Sequence, residues 1–266
     1  DVLPGCKSEM VVLVDARQSL HPNALEALAS NFTDPSVGAV SGELVFRKPG
    51  SEFTDPEKGM DAYWRYEKFI RKQESLFRSV PGATGALYAI RKNLFLPFPP
   101  DTILDDVAIP MGIVRQGFRC VFEECAFVFD RPSSSAAKEA IRKRRTIAGN
   151  AQLAALWPWL LNPFQNPIWF EFISHKLLRL LSPFLLAGLL VINAVLWRQP
   201  VYFVMLAGQA FFYTLAVFFR PWPVPRMFVA LNITTALAVW DAVRGRYAVR
   251  WEKSIDQRPE TRDLHR

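Results

Sequence analysis

Two adjacent carboxylates, Asp105-Asp106, stand in the stretch PPDTILDDVAIPMGIVRQGFRCVF. Before them an apolar run, MVVLV, ends on Asp15, with Arg17 two residues further on; after them comes a basic cluster, Arg142-Lys143-Arg144-Arg145. Each group suggests a chemical task. A carboxylate with a pKa near about 4 is ionised at neutral pH and can take a proton from a hydroxyl. A carboxylate at the carboxyl end of a buried strand points into the crevice where α/β folds bind ligands, and can hold Mg2+ or Mn2+ against phosphate oxygens. Arg17 could contact phosphate directly. Arg142 and Arg145 lie three residues apart on a helix, so they share a face, as clamping a diphosphate requires. In this order the groups suggest chemistry on an anionic donor.

Plainer readings stand beside these. Asp favours helix starts, so Asp15 could be a turn residue and the Asp105-Asp106 pair could simply open a helix. Asp105 as cap and Asp106 as proton acceptor are compatible assignments. In VPGATGALYAIRK, Gly82 and Gly85 around Thr84 let a ligand approach the backbone closely, although any turn before a strand looks the same. Four consecutive basic residues usually form a solvated or lipid-facing surface; Lys143 and Arg144 are expected to face headgroups.

The elements that must position these residues divide the chain sharply. Of its 266 residues, 1–150 read as a soluble α/β domain, 151–175 as interfacial amphipathic helices, 176–243 as three membrane helices and 244–266 as a basic tail. The opening DVLPGCKSE starts just before a strand without an initiator Met, so the soluble part is expected to be the C-terminal portion of a domain truncated at its N-terminus. Cys6, Cys120 and Cys125 have no zinc or redox spacing, which fits a reducing compartment. The formal charge of +7 concentrates at 138–145 and from Arg244 onward, flanking apolar segments. That placement favours anionic headgroups or a phosphorylated substrate over nucleic acid.

Met10 to Val14 predicts a strand buried on both faces, followed by a helix from Pro22 to Phe32. Val37 to Phe46 predicts a strand, Met60 to Phe77 a helix, and Leu87 to Ile90 a short strand. A helix starting at Asp105 or Asp106 and running to Gln116 is stopped by Gly117. Short strands at Arg119 to Glu123 and Ala126 to Phe129 precede a basic helix over Ser135 to Gln152. Strands alternating with helices predict a mostly parallel sheet. Leu177 to Trp197, Val201 to Phe219 and Val224 to Val243 each have the length of about 20 residues that crosses a bilayer. Three spans put the Arg-rich tail across the membrane from the soluble domain, against the positive-inside tendency. Either a segment is re-entrant or the tendency fails here.

Taken in order, VLVDARQSLHPNALEAL, DPSVGAVSGEL, VPGATGALYAIRK, ILDDVAIPMGIVRQGFR and RKRRTIAGNAQ resemble the membrane-integrated family 2 glycosyltransferases. That group includes the cellulose, chitin and hyaluronan synthases and many bacterial polysaccharide enzymes. The resemblance implies a GT-A, Rossmann-like fold and inverting hexosyl transfer from a nucleotide-diphosphate sugar, a UDP-sugar, to a glycan or lipid-linked acceptor. It places the catalytic domain at the cytoplasmic face of a bacterial inner membrane, in cell-envelope polysaccharide biosynthesis. Asp15 falls on the first Asp of the family's Asp-x-Asp motif, which contacts the donor diphosphate and its Mg2+ or Mn2+. Asp106 falls on the general base of the Thr/Glu-Asp motif. Arg145 falls on the Arg of Gln-x-x-Arg-Trp, near donor and acceptor. The chain departs from the pattern at Arg17, where the family has its second Asp, and at Arg142 and Thr146, where it has Gln and Trp. Those departures keep open a non-catalytic membrane scaffold and a non-processive transferase acting on polyprenyl phosphate.

Overall fold

A strand covered on both faces must send alternate side chains into two separate cores. The computed structural model describes residues 3–46, 62–130, 136–219, 221 and 223–245, and its central strands follow this rule. In β4 (Leu87–Arg91), Leu87 and Ala89 join Ala24, Leu28 and Val40 on one side, while Tyr88 and Ile90 join Ala39, Met111 and Ile113 on the other. Helix α1 (Ala24–Ser30) covers the first face. Helix α3 (Asp105–Arg115) covers the second.

The sheet contains β1 (Met10–Val14), β2 (Ser19–Leu20), β3 (Val37–Phe46), β4 and β5 (Arg119–Asp130), in the order β1-β4-β3-β5-β2. Among the described strands only β3 and β5 run parallel; β1 with β4, β3 with β4 and β2 with β5 are antiparallel. The sheet is therefore mixed rather than mostly parallel. Alternating strands and helices determine the layers, but they do not fix the direction in which a strand returns. Here the return matters: Val14 pairs with Leu87, which sets Asp15 beside Ala86, and the Asp15 N–H donates to the Ala86 carbonyl at 3.3 Å.

Two further expectations change for local reasons. β1 lies at an edge of the sheet rather than inside it, with Met10, Val12 and Val14 exposed. The two short strands expected between 119 and 129 form one strand, β5, whose register against β3 slips between Ser41 and Glu43. Such an irregularity lets one strand continue where the polar Glu123-Glu124-Cys125 stretch suggested a break. α1 begins at Ala24 and passes into a 3-10 turn over Asn31–Thr33. α2 (Ala62–Phe77) agrees with its expected helix, whose first residues lie outside the described ones. Gly117, at φ +90°, follows the end of α3 in a conformation suited to glycine.

α4 (Ala136–Leu156) extends the basic helix beyond Gln152. A 3-10 turn, Pro158–Leu161, then leads to α5 (Trp169–Phe172), a π-helical turn (Ile173–Leu177) and α6 (Leu178–Val195). These last three form one continuous helical run. Trp169–Val195, Pro200–Phe218 and Val224–Val243 are each long and apolar enough to cross a membrane. The second is α7 and the third lies in α8 (Pro223–Val243). Polar side chains tie the three together: Ser182 Oγ donates to Asn232 Oδ1 at 2.7 Å, and Gln209 Nε2 donates to the Leu186 carbonyl at 3.1 Å. The basic tail from 246 onward lies outside the described residues.

β3 and α3 approach most closely at Gly38. A Cβ there would stand 2.5 Å from Ile113 Cγ2 and 2.8 Å from Phe118 Cβ. Replacing Gly38 with Ala is expected to overpack this contact and destabilise the domain by about 1–3 kcal/mol. Thermal melting of the purified full-length protein in detergent measures it, and unchanged melting would contradict this packing.

Candidate active site

Asp106 is held at both ends by the glycine turn. Its carbonyl would ordinarily bond the N–H four residues on, but that residue is Pro110, which has none. The carbonyl instead accepts from the Ala83 N–H at 2.7 Å. The side chain lies against Gly85, where a Cβ would come within 2.9 Å of Asp106 Oδ2. Gly82, at φ +129°, makes the turn possible and faces Val107. Leu104, not Asp105, occupies the N-cap position, and no side chain caps the helix. Asp105 is the first helical residue, so its contribution at this end is its charge beside the helix N-terminus.

The Asp106 residue keeps some surface, yet Oδ1 is buried and accepts no hydrogen bond from the protein. Burial is the main cause that pushes its pKa up to about 6, with the neighbouring Asp105 charge adding to it. Lys176 and the backbone N–H groups of Gly85 and Asp106 act in the opposite direction. Tyr88 completes this pocket from β4. Its hydroxyl is buried without a hydrogen-bond partner, and burial followed by the charges of Asp105 and Asp106 raises its pKa.

Thr84 holds the turn. Its hydroxyl accepts from Arg71 Nη1 at 2.7 Å and its N–H donates to Ser41 Oγ at 2.8 Å. Arg71, half-buried on α2, stacks over Phe122 at 4.5 Å. Burial raises the nearby Glu43 carboxyl, with Arg71 opposing the rise. In the turn expected to admit a ligand to the backbone, the Thr84 hydroxyl is thus engaged by Arg71.

α4 supports the other side of Asp106. Gln152 accepts from the Ile103 N–H at 3.0 Å and donates to the Asp101 carbonyl at 2.9 Å. A Cβ at Gly149 would stand 2.7 Å from Leu104 Cγ, so this helix packs directly on the segment delivering the acidic pair. Arg145 is one turn before Gly149 on that face, and the charges of Asp105 and Asp106 act on it. Arg142 lies a turn earlier and is partly buried. Arg144 does not face headgroups: its Nε donates to Asp241 Oδ2 on α8 at 2.6 Å.

The membrane-side helix is fastened nearby. His175 meets Glu74 through Nδ1 at 2.8 Å and Glu67 through Nε2 at 2.7 Å, and Arg179 adds a 3.1 Å contact to Glu67. Burial would raise the Glu67 carboxyl, but hydrogen bonding and charge from His175, then Arg179, hold it well below the usual range. The next residue after His175 is Lys176, the cation that acts on Asp106.

Asp15 borders the same turn through Ala86, but its side chain is exposed. Arg17 Nη2 lies 3.5 Å from Asp15 Oδ2, and Arg17 Nε lies 3.5 Å from Asp130 Oδ2. No group of three or more His, Cys, Asp or Glu side chains among the described residues could hold a metal ion. One carboxylate already engaged by a guanidinium is a poor fit to the divalent ion expected at Asp15.

The family model described as "Glycosyl transferase family group 2" matches residues 10–240. The chain belongs to this family. Among solved structures, the family 2 chain is similar to the mannosyltransferase PcManGT from Pyrobaculum calidifontis, solved in complex with GDP-Man and Mn2+. The two share 21% identity at a TM-score of 0.61, over 92% of this chain and 65% of that one. The chain thus spans a little under two thirds of that protein's length, and the likeness shows a common fold. A comparison with curated proteins finds no match.

In this family 2 chain Gly82, Gly85, Asp105 and Arg145 of the residues that the sequence singled out lie about Asp106, whereas Arg17 pairs with Asp15 and Asp130; Lys176, Arg71 and Tyr88 escaped it. Lys176 carried a usable signal, because an ionisable side chain at the start of an apolar span invites a functional reading. Tyr88 sits in the apolar strand LYAIR and gave none. Replacing Gly85 with Ala is expected to push the Asp106 carboxylate aside and lower sugar transfer at least tenfold, given the sensitivity of catalysis to small displacements. Initial rates against thermal melting separate this from loss of fold. A parent-like rate would show that Gly85 does not set the carboxylate.

Proposed function

We propose that this protein is an inverting glycosyltransferase with Asp106 as general base, moving a sugar from a nucleotide-diphosphate donor to a glycan or lipid-linked acceptor at the cytoplasmic membrane face. The observation that carries this reading is the buried Asp106 Oδ1, which no protein group hydrogen-bonds, beside the exposed Gly85. A carboxylate tuned to about 6 is ionised at neutral pH yet more basic than an ordinary Asp.

In this mechanism Asp106 Oδ1 takes the acceptor hydroxyl proton. The acceptor oxygen attacks the anomeric carbon from the face opposite the diphosphate. As the new bond forms, the bond to the diphosphate oxygen breaks and negative charge develops on the leaving group. Arg145, with Arg142 on the same helix face, stabilises that charge. The Asp105 charge opposes these cations and keeps the carboxylate basic, while buried Tyr88 backs it from the core. No step passes through a metal. The three helices able to cross a membrane, one of them carrying Lys176 beside Asp106, support a site near the bilayer and an acceptor that is lipid-linked or extruded.

The cost of burying the Asp106 carboxylate favours an enzyme over a scaffold. A carboxyl whose folded pKa is raised binds more protons folded than unfolded, so stability falls as pH rises from about 4 to about 6. Above that window the ionised group costs up to about 3 kcal/mol. A scaffold has no use for such a cost.

Replacing Asp106 with Asn is expected to lower transfer by about 10²–10⁴-fold and leave donor-nucleotide binding intact. At pH 7.5 this variant should melt at or above the parent, with the gain vanishing near pH 4. A full-length D106N protein that transfers sugar at the parent rate would remove the base from the mechanism. In the parent, kcat/KM should fall about tenfold per pH unit below a midpoint of about 6. A profile flat to pH 4.5 would exclude an ionising base of this kind.

A further inference from the structure

The first and last strands of the described sheet meet at Arg17. β2 pairs with β5 so that Ser19 stands opposite Phe129, which brings the residues before β2 to the end of β5, where the Arg17 side chain reaches Asp130, the last residue of that strand. Asp130 is largely buried, with a side-chain exposure of 9%, whereas Asp15 is open at 53%. A turn closed by the Gln18 N–H on the Asp15 carbonyl, at 3.0 Å, returns Arg17 towards Asp15. The guanidinium thus lies between two carboxylates at the carboxyl end of β1.

A divalent cation at this point would need oxygen ligands at about 2.0–2.2 Å and several of them. Asp15 offers one carboxylate, and its Oδ2 faces a permanent positive charge. A dication bound there would sit against the guanidinium. Arg17 can replace the ion's electrostatic role. A guanidinium has five N–H donors in a planar fork suited to phosphate oxygens, and its contacts to Asp15 and Asp130 use Nη2 and Nε, leaving Nη1. Asp130 anchors the group, and about a third of the Arg17 side chain, 34%, remains exposed.

We propose that Arg17 takes the place of a divalent cation, so that this protein binds its donor diphosphate without metal. The proposal rests on the nucleotide-sugar reading above. The open Asp15 then serves to orient Arg17 rather than to ligate an ion.

The test is equilibrium binding of UDP, GDP and dTDP to the full-length natural protein in detergent, by calorimetry, in EDTA and in Mn2+ or Mg2+. The expected result is that at least one nucleotide binds in EDTA within about twofold of its affinity with metal. Arg17→Ala should weaken binding in EDTA at least tenfold. Arg17→Asp, which restores a second carboxylate, should bind poorly in EDTA and recover at least tenfold with Mn2+. Far-UV circular dichroism and melting confirm that both variants fold. If the parent instead gains tenfold or more from Mn2+, the proposal falls while the nucleotide-sugar reading stands. If no nucleotide binds the parent under any condition, that reading falls and takes the proposal with it. Parent-like binding by Arg17→Ala in EDTA also overturns it.

Discussion

The structure depends on holding one ionisable carboxylate against a glycine at the start of a helix. Burying Asp106 is unfavourable, so the surrounding chain must fix it from several directions. Pro110 releases its carbonyl to Ala83, Gly85 leaves room for its side chain, and Arg71 and Ser41 hold the turn that contains both contacts. Gly38 and Gly149 then let β3 and α4 close on the two ends of α3 and its approach. Gly85, Gly38 and Gly149 have no room for a Cβ: the Asp106 carboxylate fills that space at Gly85, and apolar side chains fill it at the other two. Interiors packed to this density transmit a change at one contact to the next.

The second requirement is charge. A buried acid needs nearby cations for its substrate, but cations placed too close would lower its basicity. The chain draws them from different elements: Arg145 from the basic helix and Lys176 from the helix that enters the membrane. Lys176 is positioned by its neighbour, since His175 uses both ring nitrogens on Glu67 and Glu74. A buried network of this sort specifies a geometry more than it adds stability. Arg144 on Asp241 makes a second tie, from α4 to α8. The apolar half of the chain therefore does more than anchor the domain, because two of its helices help fix the site.

Much of this was legible from residue types. The apolar run before Asp15, the glycines of PGATGALY, the helix after Asp105-Asp106 and the three spans all follow from local period and turn chemistry. Strand direction did not, because antiparallel and parallel returns leave the same hydrophobic pattern in a strand buried on both faces. The edge position of β1 was hidden for the same reason: MVVLV is equally apolar whether one neighbour or two flank it. Side-chain partnerships across long separations were also hidden. Nothing near Thr84 announces Arg71, and nothing near Arg144 announces Asp241. Lys176 was the exception, visible as a charge where a span begins but set aside when the span was started at Leu177.

The direction of β4 has the largest chemical consequence. Because it returns antiparallel to β1, the end of one strand meets the beginning of the other, and Asp15 borders Ala86 while Asp106 borders Gly85. Two acidic residues thus flank one dipeptide, Asp15 by its backbone and Asp106 by its carboxylate. On the Asp15 side a guanidinium is already held by carboxylates and turned outward; on the Asp106 side burial keeps an oxygen without a protein partner. If both carboxylates shared one pool of positive charge, strengthening the hold on a diphosphate would weaken the base. In the proposed mechanism this separation gives the donor diphosphate a cation, Arg17, that lies apart from the base, while Arg145 stays within reach of the Asp106 charge.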